Sequence, residues 1–292
     1  MPSLKEFNVK LARLRTTRKM TKTMKLVSVN KLRRAQEAER RVRGFFDHVL
    51  HMIGRLARTG DTGDNPLFKP RPQTGSALIL VFTSDRGLCG GFNHNLNRAV
   101  MRWIERLTAE GRKVEVSCSG RRGYAFFRNR AAIRKYYEEA AGRPAYEQAA
   151  GMGHDLQVAF LRGGADEVYL AHNAPAGLAN YVPAIEKLLP LDRATLAALA
   201  KAESGVTGDW LFEPSPDELL DSLLPRMVNL KVYSVLLSSA TGEHGARMRA
   251  MDQATNNADS LIDRLTLRRN RARQAQITTE LTEIVAGAEA LK

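Results

Sequence analysis

The sequence predicts an α/β chain in which two long terminal helices pair with each other as a coiled coil and flank a sheet domain. Residues 4–58 hold no proline and repeat apolar positions at helical spacing. Between residues 76 and 171, apolar runs alternate with helical patterns. From Asp217 to Leu291 helix formers dominate again.

Leu4, Phe7, Leu11 and Leu14 recur every three or four residues, with Lys and Arg between them. Thr21, Met24, Val27 or Ser28, and Lys31 or Leu32 continue the stripe. This is a narrow helical seam. Ser3 followed by Glu6 fits a capping box. At 1.5 Å per residue the segment reaches roughly 80 Å, longer than a globular core needs. It stops at Thr59-Gly60-Asp61-Thr62-Gly63-Asp64-Asn65-Pro66, followed by Pro70 and Pro72, a cluster read as a linker.

Ala77-Leu78-Ile79-Leu80-Val81-Phe82 is continuously apolar, as a strand buried on both faces requires. Lys113–Cys118 and Glu167–Ala171 read as further strands. Helical patterns fall at about 93–110, 121–129 and 147–162. Strand alternating with helix indicates a Rossmann-like α/β domain with a mainly parallel sheet. Residues 173–213 are expected to add edge strands, with Trp210-Leu211-Phe212 the leading candidate.

Pro214-Ser215-Pro216 marks the next boundary, and Ser215 with Glu218 fits a helix start. Pro225 is expected to kink this helix or displace its start. Met227, Leu230, Tyr233, Leu237, Ala240, Met251, Ala254, Ala258, Leu261, Leu265, Ala272 and Leu281 continue it at spacings of three, four or their sums. Gly242 and Gly245 are expected weak points. The segment would extend ~110 Å. The expected division is 1–60 for the first helix, 61–75 for the linker, 76–213 for the α/β domain and 214–292 for the last helix. Neither helix can be covered by so small a domain, so each is the other's nearest partner. The stripes are rich in Ala, Thr, Ser and Met, which leaves much surface for other proteins.

The net charge is +14, and residues 1–58 alone carry 16 Lys+Arg against 4 Asp+Glu. Residues 215–292 carry 10 of each, so the positive charge belongs to the first helix. A basic helix of this kind calls for an acidic partner. No apolar run reaches the ~18 residues that span a bilayer. An Arg/Lys-rich helical start suits a mitochondrial transit peptide, but the functional pattern begins at Leu4, so no removable leader is expected. Cys89 and Cys118 read as reduced thiols, and the six histidines show no metal spacing.

Three stretches resemble the gamma subunits of F-type rotary ATP synthases, of bacterial type. The first is Thr17–Gln36, reading Thr-Arg-Lys-Met-Thr-Lys-Thr-Met-Lys-Leu-Val-Ser-Val-Asn-Lys-Leu-Arg-Arg-Ala-Gln. The second is Thr83-Ser-Asp-Arg-Gly-Leu-Cys-Gly-Gly-Phe-Asn93. The third runs from Arg247-Met-Arg-Ala-Met-Asp-Gln-Ala-Thr-Asn-Asn-Ala258 to Asn270-Arg-Ala-Arg-Gln-Ala-Gln-Ile-Thr-Thr-Glu-Leu-Thr-Glu-Ile-Val-Ala-Gly287. Their order and spacing match over the whole chain. Ser28-Val29-Asn30 stands where that family has a small, Ala-rich triplet. Arg268 and Arg269 replace an apolar residue and Tyr, and residues 129–165 match poorly.

The resemblance implies that the terminal helices form a long antiparallel, left-handed coiled coil turning inside a ring of three alpha and three beta subunits, one copy per complex. The α/β domain would sit against epsilon and the membrane ring of c subunits, on the cytoplasmic face of the inner membrane, with no segment inserted in the bilayer. Catalytic, metal and cofactor residues are expected to be none, because alpha and beta would bind the nucleotide. Lys19, Lys22, Met24 and Lys25 match the segment facing beta, with Met24 alternatively a seam residue. Arg273, Gln274 and Thr278 match a catch that hydrogen-bonds a beta loop. Leu281, Ile284 and Val285 match an apolar tip seated in a hydrophobic bearing.

Thr83–Asn93 occupies the place of a phosphate loop but lacks the Gly-Lys-Ser/Thr ending and the G-x-G-x-x-G spacing. It is read as a strand-to-helix turn using Gly87, Gly90 and Gly91 for backbone freedom. A nucleotide-dependent α/β enzyme is therefore a weak rival. The other is a basic coiled-coil nucleic-acid binder, with tight, salt-sensitive binding by residues 1–58. No base-reading motif is present, and the basic segment lies along the seam itself, unlike a forked basic region. No nucleic-acid partner is expected.

Overall fold

The computed structural model describes residues 4–59, 65–71, 75–138, 142, 144–176, 180–192, 195–196, 213 and 215–289. Ser3 and the expected strand Trp210-Leu211-Phe212 lie outside them, as does much of the breaker cluster. The chain divides into two compact units, Asn30–Ala246 and the combination of Met1–Val29 with Arg247–Lys292. Helices α1 (Leu4–Thr59) and α5 (Pro216–Glu289) contribute residues to both.

The larger unit is built on strands β1 (Ser76–Phe82), β2 (Lys113–Ser119), β3 (Ala132–Tyr137), β4 (Glu167–Pro175) and β5 (Tyr181–Leu189). Their order is β3-β2-β1-β4-β5. The first four are mutually parallel, and β5 runs antiparallel to β4. Helices α2 (Phe92–Ala109), α3 (Arg121–Phe127) and α4 (Tyr146–Leu161) complete the crossovers. The central β1 is buried on both faces, which is why its sequence is unbroken Ala, Leu, Ile, Val and Phe. Ala77, Ile79 and Val81 pack with Leu96, Val100 and Ile104 of α2. Leu78, Leu80 and Phe82 face a second core shared by α4, the end of α1 and the start of α5. Burying each such side chain contributes ~1.5–3 kcal/mol.

Both edge strands lack a clear sequence signature. In β3, Arg134 and Lys135 interrupt the apolar pattern, as suits an exposed edge. In β5, Pro183 cannot donate to a ladder and is tolerated because only β4 flanks the strand. Within the expected linker, Leu67 is buried in the same core as α4 and α5. Arg71 donates to the Phe160 carbonyl at 2.7 Å, at the C-terminal end of α4.

Helix α5 corrects one of the two expectations about Pro225, that it displaces the helix start. The Ser215 oxygen accepts the Glu218 N–H at 3.3 Å and donates to the Glu218 carboxylate at 3.1 Å, so the helix starts before the proline. It then continues through Pro225 to Glu289. Gly242 is not a weak point either. A Cβ there would lie 2.9 Å from Tyr181 and 3.1 Å from Phe92, so the glycine lets the helix close onto β5 and α2. Gly153 does the same for α4, where a Cβ would overlap Asn229 Oδ1 and come 3.0 Å from Asn229 Cα.

Glu167, at the start of β4, accepts hydrogen bonds from Lys187, Arg112 and Tyr169. Burial works to raise its pKa, but these three bonds outweigh it and hold the carboxyl below its usual range.

In the smaller unit the helices run antiparallel. As α1 advances through Arg18, Thr21 and Lys25, the partners on α5 fall back through Asp259, Thr255 and Asp252. Phe7, Leu11, Thr21 and Ser28 of α1 and Met251 and Ala258 of α5 are the buried residues along this pairing. Met24 and Val27, placed on the stripe by spacing, are instead exposed. The seam turns toward Thr21, Lys25 and Ser28 because the ion pairs and the Thr21–Thr255 hydrogen bond of 2.8 Å set the facing register.

Gly153→Ala is expected to destabilise the protein by about 1–3 kcal/mol through overpacking. Gly44→Ala, on α1 with nothing within 4 Å of its Cβ position, is expected to stabilise by roughly 0.5–1 kcal/mol. Urea unfolding of both variants checks the contrast, and equal effects would refute the close α4–α5 approach.

Candidate functional site

Three surfaces gather the sequence-predicted residues. On α1, Lys19, Lys22 and Met24 are exposed, whereas Lys25 is half-buried and its Nζ donates to Asp252 at 2.6 Å. Lys25 is therefore engaged inside the coil. Met24 belongs instead to an exposed apolar ridge with Met20 and Val27, which recur at helical spacing on the outer face. That ridge was not singled out in the sequence, where lysines and arginines on either side mask it.

The second surface is the end of α5. From Arg273 to Ala286 every side chain is exposed. Continuing the antiparallel register, Leu4 falls opposite about residue 273, so no described part of α1 lies alongside this stretch. Gln274 and Thr278 sit one turn apart, and the Thr278 hydroxyl donates to the Gln274 carbonyl at 2.9 Å. Arg273 stands one turn before Ile277. Ile277, Leu281, Ile284 and Val285 follow at i, i+4, i+7 and i+8, the spacing of an amphipathic helix seam. Leu281, Ile284 and Val285 are 57%, 68% and 59% exposed, so the stripe is bare in the isolated chain.

The third is the turn between β1 and α2, at the carboxyl ends of the parallel strands. α/β proteins place ligands there. Here the turn is occupied by its own groups. The Ser84 N–H donates to Asn93 Oδ1 at 2.9 Å, and the Gly123 N–H to Thr83 Oγ1 at 2.8 Å. The Arg121 N–H donates to Asp85 at 3.0 Å. Cys89 is buried beneath the turn. The Ser84 amide of the turn and the Arg121 and Gly123 amides of α3 thus have partners within the chain, and Thr83 and Asp85 tie the turn to α3. Gly90 has a positive φ of 58°, and Leu88 beside it has 64° while remaining 61% exposed. Gly87 and Gly91 have ordinary φ, and a Cβ on either would meet only side-chain ends, 2.9 Å from the Arg122 guanidinium and from the Asn95 amide respectively. Gly120, not singled out in the sequence, has φ of 105°, and a Cβ there would overlap the Thr83 carbonyl. Its place between β2 and α3 was the available signal.

Cys118 is fully buried, and desolvation pushes its thiol up to about 12. Among the described residues no cluster of His, Cys, Asp or Glu is arranged to hold a metal, and no helix is long and apolar enough to cross a membrane.

The protein-family model described as ATP synthase matches residues 3–291. The ATP synthase gamma chain of Geobacter metallireducens is 41% identical over 292 residues, covering 100% of both chains. That of an Anaeromyxobacter species (strain K) is 42% identical over 296 residues, again covering 100% of both. Among solved structures, a chain of the Euglena gracilis mitochondrial ATP synthase (OSCP/F1/c-ring, rotational state 3) aligns with a TM-score of 0.66 at 17% identity, covering 99% of this chain and 94% of that one. A chain of the Tetrahymena thermophila mitochondrial ATP synthase (central stalk/c-ring) gives 0.57 at 24% identity, covering 80% and 99%. At those identities the likeness speaks to the fold.

In the Lys25–Asp252 pair the two side chains are 39% and 47% exposed. A double-mutant cycle with Lys25→Ala and Asp252→Ala is expected to give a coupling below about 1 kcal/mol. It should shrink further at roughly 1 M salt. A salt-insensitive coupling well above that would mean the coil is locked more tightly than the geometry implies.

Proposed function

We propose that this chain, which belongs to the ATP synthase gamma chain family, is the central rotor shaft of an F-type ATP synthase and is not itself catalytic. It couples ion translocation through a membrane ring of c subunits to ATP synthesis or hydrolysis at sites on alpha and beta subunits. Residues 1–60 and 214–292 form the shaft, 61–75 the linker, and 76–213 the α/β domain that meets epsilon and the c-ring. The assembly is peripheral at the cytoplasmic face of a bacterial inner membrane.

One observation carries this reading. A helix that projects with every side chain from Arg273 to Ala286 exposed, including a regular apolar stripe, is designed to be sheathed by other chains. Leu281, Ile284 and Val285 are the tip that turns in an apolar bearing, where dispersion favours burial without fixing direction. Arg273, Gln274 and Thr278 lie one step below and form the catch on a beta-subunit loop. Lys19, Lys22 and Met24 face beta further down, and Lys25 supports that face through Asp252. Exposed charge pairs with acidic loops contribute only ~0–1 kcal/mol each, so they can break and re-form as the shaft turns. The glycines Gly87, Gly90 and Gly91 have a structural role in the β1–α2 turn.

The test is reconstitution. The chain alone should hydrolyse no ATP, and adding competent alpha and beta subunits should yield an ATPase. Arg273→Ala with Gln274→Ala should lower that activity by about tenfold or more, the effect of losing a charge-assisted hydrogen bond. Hydrolysis by the isolated chain, or no activity on reconstitution, would overturn the reading.

A further inference from the structure

The seat of α5 in the α/β domain contains polar contacts that a merely hydrophobic seat would not need. On one side stands α4. Gln157 is 95% buried, and its Nε2 donates to Asn229 Oδ1 at 3.0 Å and to the Pro225 carbonyl at 3.2 Å. Gly153 beside it brings the two backbones together at Asn229, and Tyr146 meets Tyr233 edge to face with centroids 5.7 Å apart.

On the other side stand β4 and β5. Glu186 on β5 is held between His172 Nε2 at 3.1 Å and Lys231 Nζ of α5 at 2.7 Å. The hydrogen bond from His172, opposed by burial and joined by Lys231, brings the Glu186 carboxyl down to about 2. Farther along, Gly242 is closed against Tyr181 and Phe92, and Ser239 Oγ donates to the Phe82 carbonyl at 3.5 Å.

These two sets grip different faces. At 3.6 residues per turn, Asn229 and Lys231 are about 200° apart around the helix. The apolar contacts between them, through Met227, Val228, Val232 and Val235, are non-directional and would tolerate a small roll. Hydrogen bonds are directional: a roll takes Asn229 and the Pro225 carbonyl from buried Gln157, leaving it the Gly153 carbonyl of its own helix, and takes Lys231 from half-buried Glu186, leaving it His172. We propose that Gln157 with Asn229, and Glu186 with Lys231, key α5 from opposite sides so that the helix cannot roll in its seat and torque passes between the α/β domain and the coil. Gln157 and Glu186 act as positioning residues, and their role rests on the rotor reading above.

The test uses the whole ATP synthase in sealed vesicles, measuring ATP hydrolysis and ATP-driven ion uptake in the same preparation. Gln157→Met keeps side-chain volume and loses the hydrogen bonds, and Lys231→Met does the same on the other side. The expected result is hydrolysis retained but ion uptake per ATP reduced, most in the double variant. Arg71→Ala, which weakens the α4 end without touching α5, should keep the unaltered ratio. If the double variant does not assemble, the single variants carry the same comparison. An unchanged ratio in the assembled variants overturns the keyed joint, as does an equal loss in Arg71→Ala, which would make stability the cause. No uptake with the unaltered chain would overturn the rotor reading itself, a separate outcome.

Discussion

Helix α5 is buried along one stretch and bare along another, and that inequality organises the chain. Leu220, Leu224, Met227, Val228, Val232, Val235 and Leu236 enter the core beneath β1, β4 and α4. Past Arg273 the same helix has nothing beside it among the described residues. A helix of 74 residues outgrows any core that the α/β domain can supply. The surplus is paired with α1 as far as α1 reaches, and the remainder calls for protein from outside. Helix α5 is shared between the two compact units.

The pairing of the surplus is weak by composition. Phe7 and Leu11 give it an apolar start, but Thr21, Ser28, Met251 and Ala258 follow where a zipper would place Leu or Ile. Ser28 stands one turn beyond Met24 on the buried side of α1. It is 2% exposed and satisfies its hydroxyl on the Met24 carbonyl at 2.8 Å, so it does the work of a small seam residue. Ion pairs such as Arg18–Asp259 at 2.5 Å fix the register with little adhesion. A shaft of this composition leaves its outer ridge of Met20, Met24 and Val27 available to whatever surrounds it.

Much of this was legible in the sequence, for reasons that can be named. The unbroken run from Ala77 to Phe82 could only be a central strand, because both its faces are buried. The capping pair Ser215 and Glu218 marked the start of α5 directly. The edge strands were harder, since β3 carries Arg134 and Lys135 and β5 carries Pro183, and a one-sided strand need not alternate cleanly. Pro225 does not displace the helix start because its lost N–H is a local cost, whereas the apolar residues on either side that hold the helix to α4 and the sheet are spread along it. The exposure of Met24 was hidden because helical spacing alone does not say which of two adjacent stripes faces the partner. Gln157, Asn229 and Glu186 were invisible, because a buried polar pair has no period. For the catch and the tip, the motif gave identities, and the structure adds that Arg273, Gln274 and Thr278 lie on a stretch of α5 whose described side chains are all exposed.

Rotation is the central claim, and the chain permits a direct measurement of it. Cys89 and Cys118 are buried at 2% and 0% exposure, so a single cysteine introduced at exposed Glu110 can be labelled selectively. With the complex held through its alpha and beta subunits, a particle on that cysteine should turn continuously in one sense when ATP is supplied. A particle that stays fixed while the same molecules hydrolyse ATP would contradict the account.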